Sequence, residues 1–66
     1  MENQLEIWKN NKTHLLIIVQ EGNHTYSIYG YIKDFSEKEL ILQTDNNSIQ
    51  IINRNYVIKI REPKNE

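Results

Sequence analysis

The stretch Asn53-Arg54-Asn55 sets one guanidinium between two carboxamides. Such a set forms forked and paired hydrogen bonds but supplies neither a nucleophile nor a proton shuttle. The residues that could do acid–base work lie elsewhere. His14 and His24 are the only histidines; His24 falls in an expected turn and His14 at an expected strand start. Nucleophilic catalysis needs a hydroxyl or thiol beside a base that a third group orients. The sequence has no HExxH, no glycine-rich phosphate loop and no paired cysteines. Asp34, Glu37 and Glu39 are close in sequence, and a solvated turn explains them better than a metal site or an acid–base pair. The chain is therefore expected to be no enzyme and to use neither cofactor nor metal. What remains is recognition chemistry: the Asn53–Asn55 turn, the aromatic faces of Tyr29 and Tyr31, and the point charge of Lys33.

Something must position these groups, and 66 residues allow one domain, 1–66. A core this small is marginal, and natural domains of this size add disulfides, metal or oligomerisation. Cysteine is absent, which removes disulfides and thiolate metal sites. Self-association is the remaining common route. Eight Lys and Arg against nine Asp and Glu give no strong overall field, so a nucleic-acid site would have to be a local cluster. No apolar stretch is long enough to span a membrane, and no signal-peptide pattern opens the chain. A cytoplasmic protein without membrane contact is expected.

Eleven isoleucines and no alanine favour strands over helices. Residues 3–11 are the one helix candidate. Asn3 is placed to cap it with Glu6 three residues on, and Leu5 and Trp8 share a face. Leu15 to Val19 is a continuous apolar run, as in a strand buried on both faces. Glu21-Gly22-Asn23 turns the chain, and residues 25–34 alternate. Gly30 interrupts that strand, which marks a bend, a bulge or a close backbone approach. A third strand over 39–44, a turn at Asp45–Ser48, a fourth strand over 49–52 and a fifth over 56–61 complete the pattern. The expectation is mainly β: a helix at about 3–11, a strongly bent five-stranded antiparallel small barrel over about 13–61, and a polar tail at 62–66.

The run Gly30, Ile32, Phe35, the polar turn 36–39 and Leu40-Ile41-Leu42, followed by Gln50 through Val57, resembles the two motifs of the Sm-like family. The likeness covers about Leu5 to Pro63 and is closest to the bacterial host factor Hfq. Arg54 takes the basic position of the second motif and Asn55 its histidine position. Ser36 stands where the first motif usually has aspartate, and Glu37 and Lys38 where Hfq commonly has residues used in RNA contact. The resemblance implies a ring, hexamer or heptamer, in which the fourth strand of one subunit pairs with the fifth of the next. It implies single-stranded RNA bound at the pore by Arg54. Asn53 and Asn55 would then read base edges, Tyr29 and Tyr31 would stack on bases, and Lys33 would touch phosphate. Structural roles stay open for all six: turn geometry for the asparagines, a subunit salt bridge for Arg54, half-buried surface for the tyrosines. Two other functions also stay open. One is a small Sm-like or SH3-like barrel acting as a protein-interaction module or inhibitor with a protein partner, and the other is an oligomer that captures a small nucleotide ligand.

Overall fold

The computed structural model describes residues 2–63. Helix α1 (Glu2–Asn11) is followed by strands β1 (Leu15–Glu21), β2 (His24–Phe35), β3 (Glu39–Thr44) and β4 (Ile49–Asn53). A single 3₁₀ turn, Arg54–Tyr56, then leads into β5 (Val57–Arg61). The expected helix and five strands are all present. The tail expected at 62–66 lies outside the described residues from 64 onward.

All pairings are antiparallel, and the strand order is β4-β3-β2-β1-β5. β4 and β5 are therefore the two edges of an open sheet, which is not closed into a barrel. β1 lies inside the sheet between β2 and β5, and it buries Leu15, Leu16, Ile17 and Val19. That burial on both faces is what its unbroken apolar run anticipates. The core joins Leu15, Ile17 and Val19 of β1 to Ile28 and Ile32 of β2, Leu40 and Leu42 of β3, and Ile52 of β4. These residues alternate along each strand, so one face of the sheet is dry.

Helix α1 closes that face with Leu5, which is buried, while Trp8 packs half-exposed against the core. The helix starts at Glu2, so Asn3 lies inside its first turn and is not its cap. It ends where Lys12 takes a left-handed φ of 50°. There the Lys12 N–H donates to the Lys9 carbonyl (3.2 Å) and the Thr13 N–H to the Trp8 carbonyl (3.1 Å). This is the Schellman pattern, with lysine in the seat that glycine usually takes.

Gly30 has an ordinary φ, and its role is close approach. A Cβ there would sit 2.1 Å from the Gln43 carbonyl oxygen and 2.9 Å from the Thr44 Cα. The bulge in β2 falls three residues later: Ile32 pairs with Leu42 and Asp34 with Ile41, leaving Lys33 as the extra residue. A second bulge makes Ile58 the extra residue of β5 opposite Ile18 and Val19. Bulges bend strands and re-aim side chains, and both Lys33 and Ile58 point their side chains toward solvent.

Candidate recognition surfaces

The six candidate residues do not form one site. Asn53, Arg54 and Asn55 sit together in the connection between β4 and β5. Tyr29 and Tyr31 lie toward the other end of the sheet, where Tyr31 faces Gln43 across the β2–β3 ladder. Lys33 is exposed at its bulge.

The connection is built locally. The Asn53 Oδ1 accepts the Asn55 N–H at 2.8 Å and caps the 3₁₀ turn. The carboxamide oxygen of Asn53 thus has a structural duty, while Asn55 leaves its side chain in solvent. Arg54 is anchored to the β2–β3 turn. Its backbone N–H donates to the Lys38 carbonyl at 2.8 Å, and its Nη1 to the Ser36 carbonyl at 2.6 Å. That turn is itself braced by Ser36, whose Oγ accepts the N–H groups of Lys38 (3.3 Å) and Glu39 (3.2 Å). A serine thus does here what a short carboxylate does in many turns. The guanidinium is half-exposed and held in one orientation.

Arg54 borders a groove of about 690 Å³ between the helix and the last strand. Leu5, Trp8, Leu40, Val57 and Ile60 give it apolar walls, and Gln4, Arg54 and Lys59 supply polar heads. The Trp8 ring is fixed at its polar edge, where Nε1 donates to a Glu62 carboxylate oxygen at 2.9 Å. Lys9 steadies the helix from its other side: its Nζ lies 3.4 Å from an Asp34 carboxylate oxygen and 5.8 Å from the Phe35 ring centre. The Phe35 N–H donates to the same carboxylate at 2.9 Å. That backbone bond, aided by Lys9, lowers the Asp34 pKa below its usual 3.8.

Sequence reasoning finds Arg54 but misses its companions. Trp8 reads as a core-facing helix residue, and Lys59 as one residue of an alternating strand. Only the tertiary fold, which lays α1 over the dry face of the sheet, brings them to the groove beside Arg54.

A second, shallower depression lies at the other end of β3 and β4. Tyr26, Ser27, Tyr29, Thr44, Asp45, Asn46, Ser48 and Gln50 line it. The β3–β4 turn on its rim closes on itself: the Thr44 N–H donates to the Ser48 carbonyl (2.8 Å) and the Asn47 N–H to the Thr44 carbonyl (2.9 Å). The Ser48 N–H donates to the Thr44 Oγ1 (3.0 Å), and that hydroxyl bonds in turn to the Asn46 side chain. Asn47 takes a φ of 69°, a conformation asparagine tolerates better than most residues. The Asp45 N–H donates to the Tyr29 carbonyl at 2.9 Å. Tyr26 donates its hydroxyl to Glu21 at 3.1 Å. Desolvation first, then that carboxylate, raises its phenol above the usual 10.0.

Among the described residues no group of three or more His, Cys, Asp or Glu is placed to hold a metal ion, and no helix is long and apolar enough to cross a membrane. Comparison with protein-family models finds no match, and comparisons with curated proteins and with solved structures find none either.

Proposed function

We propose that this chain is a divergent Sm-like protein that binds single-stranded RNA. The observation that carries the reading is Arg54, held by Ser36 and Lys38 at the rim of a groove that also presents Trp8 and Lys59. An aromatic face takes an unpaired base with little sequence demand, and fixed cations take the adjoining phosphates. The groove volume is within the range of single-ligand sites and matches one nucleotide per subunit better than a duplex.

Ring assembly belongs to the same reading. Its support is that β4 and β5, the strands that would meet between subunits, are the two unpaired edges. Ile49 and Ile51 on β4 and Ile58 on β5 are each about half-exposed or more. Open edges with apolar side chains invite pairing with another chain. A ring would also turn one arginine per subunit into a circle of positive charge, which offsets the near-neutral composition.

Fluorescence anisotropy with short U-rich and A-rich RNAs, read across a salt series, tests the proposal. Binding should weaken as salt rises. Arg54→Ala should cost about tenfold in affinity, and Lys59→Ala less, each lowering the salt slope by about one. Lys59 is exposed and does not brace a turn, so its loss separates contact from folding. Absence of binding to either RNA at low salt would overturn the reading. Light scattering on the same sample reads the assembly, and a strict monomer at micromolar concentration would remove the ring. In that case the exposed isoleucines of β4 favour a protein-interaction module.

A further inference from the structure

The depression around Tyr29 has a chemistry that the Arg54 groove does not explain. None of the residues lining it is Lys or Arg, and its one charged group is Asp45. Its other polar groups are hydroxyls and carboxamides, and Tyr26 and Tyr29 give it aromatic surface. A phosphate would meet no Lys or Arg here and would be repelled by Asp45. A cation would be attracted by it.

The chain itself shows how a planar donor seats there. His14 lies 31 residues from Asp45 in sequence, and its Nε2 is 3.0 and 3.2 Å from the two carboxylate oxygens of Asp45. The same imidazole stacks on Tyr29, with ring centres 6.1 Å apart and planes 28° from parallel. The carboxylate is steered to this place by the Asp45 N–H bond to the Tyr29 carbonyl. One flat group thus lies over a tyrosine and addresses both oxygens of an acid. A guanidinium satisfies the same pair of demands better. It is flat, it stacks on aromatic faces, and it donates two parallel N–H groups to one carboxylate.

We infer that the Tyr29–Asp45 depression is a docking site for an arginine side chain in a basic segment of a protein partner, with His14 as the internal occupant that the arginine displaces. The argument is charge complementarity, since a carboxylate beside two tyrosines, with no Lys or Arg in the lining, meets a planar cation. The site is independent of the Arg54 groove and stands or falls separately from RNA binding.

The test uses the full chain and a blocked pentapeptide with one arginine among glycines, beside lysine and citrulline versions. Amide and aromatic NMR shifts are followed during titration. The arginine peptide should move Tyr29, His14 and Asp45 and leave Trp8 in place. Lysine should bind several-fold more weakly, and neutral citrulline should not bind. Asp45→Asn should weaken the arginine peptide about tenfold, the loss of one charge-assisted pair. His14→Ala should tighten it, because the carboxylate is then vacant. Both side chains are more than half exposed, so both variants should keep the remaining amide spectrum. Equal binding of citrulline, indifference to Asp45→Asn, or weaker binding to His14→Ala would overturn the assignment. So would an oligoadenylate that moves these resonances when the arginine peptide does not.

Discussion

Where β4 hands over to β5, the chain gathers Arg54, Lys59 and Trp8 around apolar walls. Where β3 hands over to β4, it gathers Asp45, Tyr29 and His14 around hydroxyls and amides. These are opposite ends of the same two strands. A near-neutral chain therefore carries two surfaces of opposite charge, and its net charge of −1 describes neither. Charge matters to binding over about one Debye length, roughly 8–10 Å in physiological salt, so the local set decides. The two ends differ in rigidity as well as sign. Trp8 is packed against the core and Arg54 is bonded to the next turn, whereas Tyr29 and Asp45 stand largely in water.

The strongest way to break the comparison is to force apart the close β2–β3 contact at Gly30, on which both ends depend. Gly30→Ala places a methyl against the Gln43 carbonyl at a separation no real contact tolerates. A loss of about 4 kcal/mol or more is expected, enough to unfold so small a domain, and urea denaturation followed by circular dichroism reads it. A milder contrast sharpens the difference in rigidity. Trp8→Ala should lose about 2 kcal/mol, since it empties a packed groove wall, while Tyr29→Ala should lose under about 1 kcal/mol. Equal losses would mean that the two ends are built alike.

The next effect is electrostatic and belongs to the side of α1 that faces away from the Arg54 groove. The Asp34 carboxyl is favoured in its charged form by the Phe35 N–H and then by Lys9. Its folded pKa is depressed, so its contribution to stability is present above the unfolded value and is lost as pH falls through the folded value. Carboxyl-detected NMR should find its midpoint below 3.8, and Lys9→Ala should move that midpoint partway back. No movement would mean that the backbone bond acts alone. The smallest effect is a gain. Lys12→Gly relieves the left-handed residue after α1 and should add up to about 1 kcal/mol, read as a higher melting temperature.

The fold was largely legible because its signals are local. The unbroken Leu15–Val19 run announced a strand buried on both faces. Gly22, at φ +63°, and Asn47 sit in turns that their residue types foretold. Gly30 announced a special position, but its reason is contact with Gln43, a residue 13 positions away, and the bulge that re-aims β2 falls at Lys33. Nothing in the residues around Lys33 marks a bulge. Asn3, foreseen as the cap, lies inside the first turn because the helix includes Glu2, one residue earlier than expected.

The candidate sites were legible only in pieces. Arg54 and its asparagines are consecutive, so sequence could group them. Trp8 with Lys59, and His14 with Asp45, are paired by tertiary packing across 51 and 31 positions. Asn53 also shows how a plausible recognition residue can be claimed by the backbone, since its side-chain oxygen caps the next turn. Tyr29 and Tyr31, adjacent in alternation, part company because only Tyr29 has an imidazole to stack on and a depression to line.

The place of β1 between β2 and β5 has a consequence for how the chain acquires its structure. β1 meets β2 across a two-residue hairpin, but its other neighbour, β5, is about 40 residues downstream. The β1–β4 meander can form from successive neighbouring hairpins, while one side of β1 waits for β5. Contacts of such long sequence separation form slowly, and an open apolar strand edge is the vulnerable state meanwhile. The rate-limiting event should therefore be the docking of Val57–Arg61 beside Leu16–Val19, and a chain truncated before residue 57 would hold a sheet with its most hydrophobic strand uncovered on one edge.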